Sequence, residues 1–340
     1  MKADNSGIII KQLAHFIETI YPIETINSIM FIPKGEEGYG YFVKTEKGKD
    51  YFLKIQKPND YDYLTALDAV SDLHFHYKLQ YIVAPVRTLD NKSIVEFEGH
   101  LISLFPYIKG KSIYETGEFN KNLEQIAKMI ADLHNINVKN FDQLPKEKFQ
   151  NPFENTILKL LHKVEKDDYG SDFYKHKAAE LLLKQRMDIE ETLEKMKNLQ
   201  RKLSEASIKF TLTHGDPNFA NILRNENGSL NIIDWGEIAI APIERDLMFF
   251  IEVDGKPLDF KSFLSKYLLH SPSTKMNHEI FQFYLYRWCL QEIADYGSQI
   301  LLQSSKTEID KHSWIELQPY LPIPHQSIHE KVDEIKRMNH

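Results

Sequence analysis

The chain has 340 residues, beyond the ~250–300 at which a single hydrophobic core stops growing, so two packed lobes are expected. Hydrophobic residues make up 42% and charged residues 27%, a globular composition that excludes an intrinsically disordered chain. With 42 basic and 49 acidic residues the net charge is −7, and no Lys/Arg cluster is broad enough for a run of phosphates; this argues against nucleic acid and fits a cationic small molecule.

Asp4, Asn5, Ser6 and Gly7 precede a three-residue Ile run, too short for a signal-peptide core, and no stretch approaches the ~20 apolar residues of a membrane span. Cys289 is the one cysteine, so no internal disulfide can form. A cytoplasmic protein with no membrane partner is expected, as a monomer or weak dimer.

From residue 28 to about residue 105, short β-rich runs alternate with turn residues and predict an antiparallel meander with one inserted helix. Strands are expected at 41–45 and 50–55, around Lys47-Gly48, and again at 86–89, 93–97 and 101–105, with the helix at 63–77. Gly35, Gly38 and Gly40 form a loop whose backbone N–H groups can approach a phosphate. Lys54 is the single charge in Tyr51-Phe52-Leu53-Lys54-Ile55, and a half-buried ammonium there calls for an anion. Past Lys109-Gly110, Leu123, Ile126, Ala127, Ile130 and Leu133 mark one apolar face of a helix ending near His134. Residues 176–204 read as a charged, solvated helix packed on its own lobe, and Pro319, Pro322 and Pro324 mark an irregular segment. The expected division is a nucleotide-binding lobe at 1–106 and a mainly helical catalytic and substrate-binding lobe at 107–340.

Chemistry concentrates in Phe210-Thr-Leu-Thr-His-Gly-Asp-Pro-Asn-Phe-Ala-Asn-Ile-Leu and in Ile232-Ile233-Asp234-Trp235. Between them Asn227-Gly228 signals a two-residue hairpin turn, which would set Asn221 directly opposite Asp234. An amide oxygen and a carboxylate converging at a hairpin's open end suit Mg²⁺, a hard cation usually held by one or two carboxylates plus substrate phosphates. Asp216 sits at the end of the apolar run 208–212, placed to orient an incoming hydroxyl and take its proton.

The H-G-D-x4-N pattern followed by I-I-D-W resembles the aminoglycoside phosphotransferase and choline kinase family over roughly residues 30 to 300, and Ala241-Pro242-Ile243-Glu244-Arg245-Asp246-Leu247-Met248-Phe249 resembles its spectinomycin (aminocyclitol) phosphotransferase branch. The resemblance implies an α+β, protein-kinase-like two-lobed fold: a small antiparallel sheet with one helix, then a larger, mainly helical lobe. It implies Asp216 as catalytic base, Asn221 and Asp234 as Mg²⁺ ligands, and ATP or GTP as phosphate donor. Lys54 becomes the strand lysine on the α- and β-phosphates. The helical Glu that usually pairs with it is missing, because 55–77 holds only Asp60, Asp62, Asp68 and Asp72; Asp62 is the candidate partner. Ser103, Phe105 and Tyr107 fall in the hinge whose backbone meets the base, His214 and Asp246 brace the catalytic loop, and Glu292 and Asp295 are candidates for contacts to a cationic acceptor. The expected enzyme is a kinase acting on a small-molecule hydroxyl, an aminoglycoside or aminocyclitol antibiotic such as spectinomycin. The competing readings are a metabolite kinase of choline, methylthioribose, fructosamine or homoserine type, and a nucleotide-binding module without catalysis.

Overall fold

The computed structural model describes residues 6–33, 38–56, 61–167, 169, 172–253, 256–303 and 307–338. In chain order the first half runs α1 (Ile10–Ile20), β1 (Ile26–Ile32), β2 (Tyr39–Thr45), β3 (Asp50–Gln56), α2 (Tyr61–Phe75), β4 (Val95–Phe97), β5 (His100–Pro106), β6 (Gly110–Ser112), α3 (Ile113–Thr116) and α4 (Leu123–His134). Three helices follow, α5 (Glu154–Lys166), α6 (Phe173–Lys184) and α7 (Arg186–Ser204), then β7 (Thr211–Thr213), β8 (Ile222–Asn225), β9 (Leu230–Ile232) and β10 (Ala239–Ala241). The chain continues through α8 (Glu244–Leu247), β11 (Glu252–Val253), β12 (Lys256–Pro257), α9 (Phe260–His270), α10 (His278–Leu301), α11 (Thr307–Leu317) and α12 (His325–Met338).

Backbone contacts group these elements into two compact units. One comprises Met1–Lys146, Thr211–Ala241 and Glu252–Ser273, the other Glu147–Phe210, Pro242–Ile251 and Thr274–His340. The boundary at residue 106 falls inside the first unit, because β6 pairs with β8 and so ties the following chain to the 211–241 segment.

In the first unit five antiparallel strands are ordered β1-β2-β3-β5-β4. Side chains of successive strand residues point to opposite faces. Tyr51, Leu53 and Ile55 therefore join Tyr41, Val43, Ile102 and Leu104 on one face, closed by Leu13 and Ile17 of α1. That covering helix was not anticipated from the sequence, although Leu13 and Ile17 stand four apart on one helical face. On another cluster Tyr63 and Leu67 of α2 pack with Ile94, Leu101 and Phe105. The expected strand at 86–89 does not form; Val86 N–H donates one hydrogen bond to the Leu104 carbonyl and the chain turns away at Thr88. The α4 face appears as the periodicity requires, with Ile126, Ala127, Ile130 and Leu133 fully buried. Each of its large side chains contributes about 1.5–3 kcal/mol of burial. Helix α9 packs on α4, and the buried His134 Nδ1 meets the Tyr267 hydroxyl at 2.9 Å.

In the second unit the 24-residue α10 is central, with α5, α6, α7, α11 and α12 packed on it. Gly297 lets Leu160 approach, since a Cβ there would lie 2.8 Å from its Cδ1. The charged run 176–204 is two helices rather than one, because the chain breaks at Gln185, and both bury a face.

Candidate active site

The site grows out of the β8–β9 hairpin and the loops at its open end, all within the first unit. The turn differs from the expected two-residue form. Asn225 N–H donates to Ser229 O and Gly228 N–H to Asn225 O, so three residues, 226–228, close the loop with Gly228 at φ +88°. A glycine in the left-handed region is what this longer turn requires. The register moves by one residue: Ile222 faces Ile232, and Asn221 O accepts from Ile233 N–H rather than opposing Asp234.

A one-residue slip would turn Asp234 to the opposite face of the ribbon. The backbone prevents that outcome. Asp234 adopts φ +61°, ψ +64°, a left-handed conformation that costs a non-glycine residue about 1 kcal/mol or more and redirects the chain out of the strand. Its carboxylate then meets the Lys54 ammonium at 2.7 Å and lies close enough to Asp216 to raise that carboxyl's affinity for its proton. Burial pushes the Asp234 carboxyl up, but the charge and hydrogen bond of Lys54 outweigh it, and the group titrates below the usual carboxylate range.

Asp216 receives an amide on each oxygen. Asn218 Nδ2 donates to Oδ1 at 2.6 Å and Asn221 Nδ2 to Oδ2 at 2.8 Å, with a further bond from Asn221 Nδ2 to the Asp216 carbonyl at 2.9 Å. Burial dominates even so, and with the Asp234 charge nearby it lifts the Asp216 carboxyl to about 7. Asn218 was not singled out in the sequence; its Oδ1 also accepts from Ala220 N–H at 2.8 Å, so it shapes the loop as well as holding the carboxylate.

His214 is fully buried and joins the two loops. Its Nδ1 accepts from Asp216 N–H at 3.1 Å, so the ring proton belongs on Nε2, which donates to the Ile233 carbonyl at 3.0 Å. The ring packs 4.4 Å from Trp235. This geometry fits bracing rather than acid–base work.

Lys54 is 9% exposed and lies across the ladder from Ser103 on one side and Gly40 on the other. Its expected partner Asp62 is exposed in the first turn of α2, and the ammonium is on Asp234 instead. Asp62 points to solvent because the neighbouring Tyr63 takes the buried side of the helix, with its ring 5.4 Å from Lys54 Nζ. Ser103 is buried and meets the Tyr63 hydroxyl at 3.2 Å. Phe105 is half-buried near Phe52, and Tyr107 is 38% exposed with its ring edge on Phe42. Gly35 lies outside the described residues. Gly38, at φ +59°, and Gly40 have a packing reason as well: a Cβ at 38 would run into the Ile55 carbonyl, and one at 40 would sit 2.9 Å from the Phe52 ring.

The residues fit a magnesium ion. Asn221 spends its amide nitrogen on Asp216, leaving the amide oxygen as an acceptor on the other side, and Asp234 is kept ionised by Lys54. Among the described residues no three His, Cys, Asp or Glu side chains cluster to hold a metal, so nucleotide phosphates would supply part of such an ion's coordination.

A family model described as the phosphotransferase enzyme family matches residues 28–267, which include every one of these groups. The chain belongs to that family. It is 26% identical over 257 residues to protein StrN of Streptomyces griseus, covering 72% of each sequence. Its fold is similar to a spectinomycin phosphotransferase solved with ADP and spectinomycin, with a TM-score of 0.76 at 20% identity over 92% of this chain and 94% of the other. It is also similar to choline kinase LicA of Streptococcus pneumoniae, with a TM-score of 0.52 at 18% identity over 91% and 99%. At these identities the structural likeness is one of fold. The fold is thus kinase-like, an antiparallel sheet lobe and a helical lobe, and the enzyme is a phosphotransferase.

Two remaining candidates, Glu292 and Asp295, lie on α10 of the second unit. Glu292 is half-buried with Tyr320 in its field, and Asp295 is exposed. The neighbouring Arg287 pairs with the buried Glu147 at 2.9 Å and stacks on Tyr284. Asp246 is fully buried within α8; the N-cap of that helix is Ile243, so capping does not explain the aspartate. Among the described residues no helix is long and apolar enough to cross a membrane.

Proposed function

We propose that this phosphotransferase moves the γ-phosphate of ATP or GTP onto a hydroxyl of a cationic aminoglycoside or aminocyclitol, spectinomycin being the first compound to test, and so confers resistance. The observation that carries the reading is a carboxyl at Asp216 gripped by the amide nitrogens of Asn218 and Asn221, with the Lys54-paired Asp234 carboxylate close enough to raise its proton affinity. Residues 1–106 take the nucleotide and 107–340 supply the catalytic loop and the acceptor contacts. Asp216 accepts the proton of the acceptor hydroxyl and aims its oxygen along the line of transfer. Lys54 grips the α- and β-phosphates, while the backbone around Ser103, Phe105 and Tyr107 meets the base. Asn221 and Asp234 would hold a magnesium ion, which when bound would supply neutralisation of the charge developing on the phosphates. Glu292 and Asp295 are assigned to the acceptor's ammonium groups. Likeness to the choline kinase supports a second reading in which the acceptor is an amino alcohol.

The test is a coupled nucleoside-diphosphate release screen of aminocyclitols, aminoglycosides, choline, ethanolamine, methylthioribose, fructosamines and homoserine. We expect turnover with an antibiotic, lost by ~10²–10⁴-fold in Asp216→Asn while nucleotide binding persists. Turnover with a metabolite alone would move the protein to the second reading. Nucleotide binding with no turnover across the panel would leave a module without catalysis.

A further inference from the structure

Three neighbours meet at one aromatic ring. Tyr63 is 4% exposed on α2, one residue from the exposed Asp62. Its ring lies 5.4 Å from the Lys54 ammonium, and its hydroxyl is 3.2 Å from Ser103 Oγ, the residue paired with Lys54 across the β3–β5 ladder. The same ring borders the metal-binding loop: a Cβ on Gly236 would lie 3.6 Å from Cδ2 and 3.8 Å from Cε2, two residues beyond Asp234.

We infer that Tyr63 is a positioning residue that holds the Lys54 ammonium at the phosphates through its ring face, in the place where a helical carboxylate was expected. The inference rests on the nucleotide-kinase reading above. A cation over an aromatic face is attracted by the ring quadrupole, and desolvation strengthens the effect. The chemical consequence differs from that of a carboxylate. A neutral ring orients the lysine without adding a second negative charge to that of Asp234, so less of the ammonium's charge is offset before it meets the phosphates. The ring also keeps its hold whichever partner Asp234 takes, so a carboxylate that turns its oxygens toward a metal does not set the lysine loose. Through Ser103 and Gly236 the same side chain ties the position of α2 to the hinge strand and to the metal loop.

The test compares Tyr63→Phe and Tyr63→Leu in the full chain, reading by calorimetry the affinities for magnesium-ATP and magnesium-GTP against those for adenosine and guanosine. Tyr63→Phe keeps the ring and should stay within about threefold of wild type. Tyr63→Leu should weaken the preferred triphosphate by roughly 5–20-fold and leave the nucleoside nearly unchanged. On a Lys54→Met background the same change should cost nothing further. Should the leucine variant not fold, pentafluorophenylalanine at position 63 keeps the shape while reversing the quadrupole, and should weaken triphosphate binding by a similar factor relative to Phe. Parallel loss of nucleoside and triphosphate, or equal affinity in the Phe, Leu and fluorinated proteins, overturns the inference. A wild-type protein that binds neither triphosphate overturns instead the kinase reading on which it stands.

Discussion

Glu244 should make this protein less stable as pH rises through the mildly acidic range. The residue opens α8, is 3% exposed, and its Oε1 accepts from Asn277 N–H at 2.6 Å, at the N-terminus of α10. Burial lifts its carboxyl from 4.5 to about 7, with the Asn277 bond opposing the shift only in part. Below pH 4.5 folded and unfolded chains both carry the proton. Between 4.5 and 7 the unfolded chain releases it while the folded chain retains it, so stability falls with pH, and above 7 the loss is complete. At ~1.36 kcal/mol per pH unit the full effect is about 3 kcal/mol. Unfolding entropy of ~2.1 cal/mol/K per residue makes this about 4 °C in Tm if the chain melts as one cooperative unit. Glu244→Gln retains the acceptor oxygen and removes the charge. Calorimetric melts of both proteins from pH 5 to pH 8 should show the variant gaining on wild type by roughly that amount. Melting curves that stay parallel across the range would refute an ionisable proton buried at this position.

His214→Ala removes the ring's bonds to Asp216 N–H and to the Ile233 carbonyl and should lower kcat by about 100-fold, with a smaller change in nucleotide affinity; steady-state kinetics with the identified acceptor checks this. Lys54→Met should raise the nucleotide KM by roughly tenfold or more and leave the acceptor KM nearly unchanged, as a charge-assisted phosphate contact predicts. In Gly110→Ala the new Cβ meets the Arg224 carbonyl across the β6–β8 pair, so the variant should lose about 1–3 kcal/mol, read as a drop in Tm.

Much of the site was legible because its information is local. A carboxylate after an apolar run at Asp216, an amide four residues after Pro217, and a carboxylate closing an apolar strand at Asp234 are types and spacings that a linear chain displays. The α4 face and strands β2, β3 and β5 were equally readable, since burial on one face imposes a period of 2 or 3.6. The failures share a cause. The hairpin register depended on whether Asn227-Gly228 closes a loop of two or three residues, and the correct side for Asp234 then depended on a left-handed backbone that no periodicity encodes.

The amino-acid order by itself determined the family and the sheet-then-helices succession, and it singled out Asp216, Asn221 and Asp234, because each is written in residue type and short-range spacing. Tertiary structure alone decided the partner of Lys54. Two acidic residues and a tyrosine compete for that ammonium across 8 to 180 positions of chain, and packing gave it to Asp234 and the Tyr63 ring while turning Asp62 to water. Which group wins is set by burial and approach distance, quantities that exist only once the chain is folded.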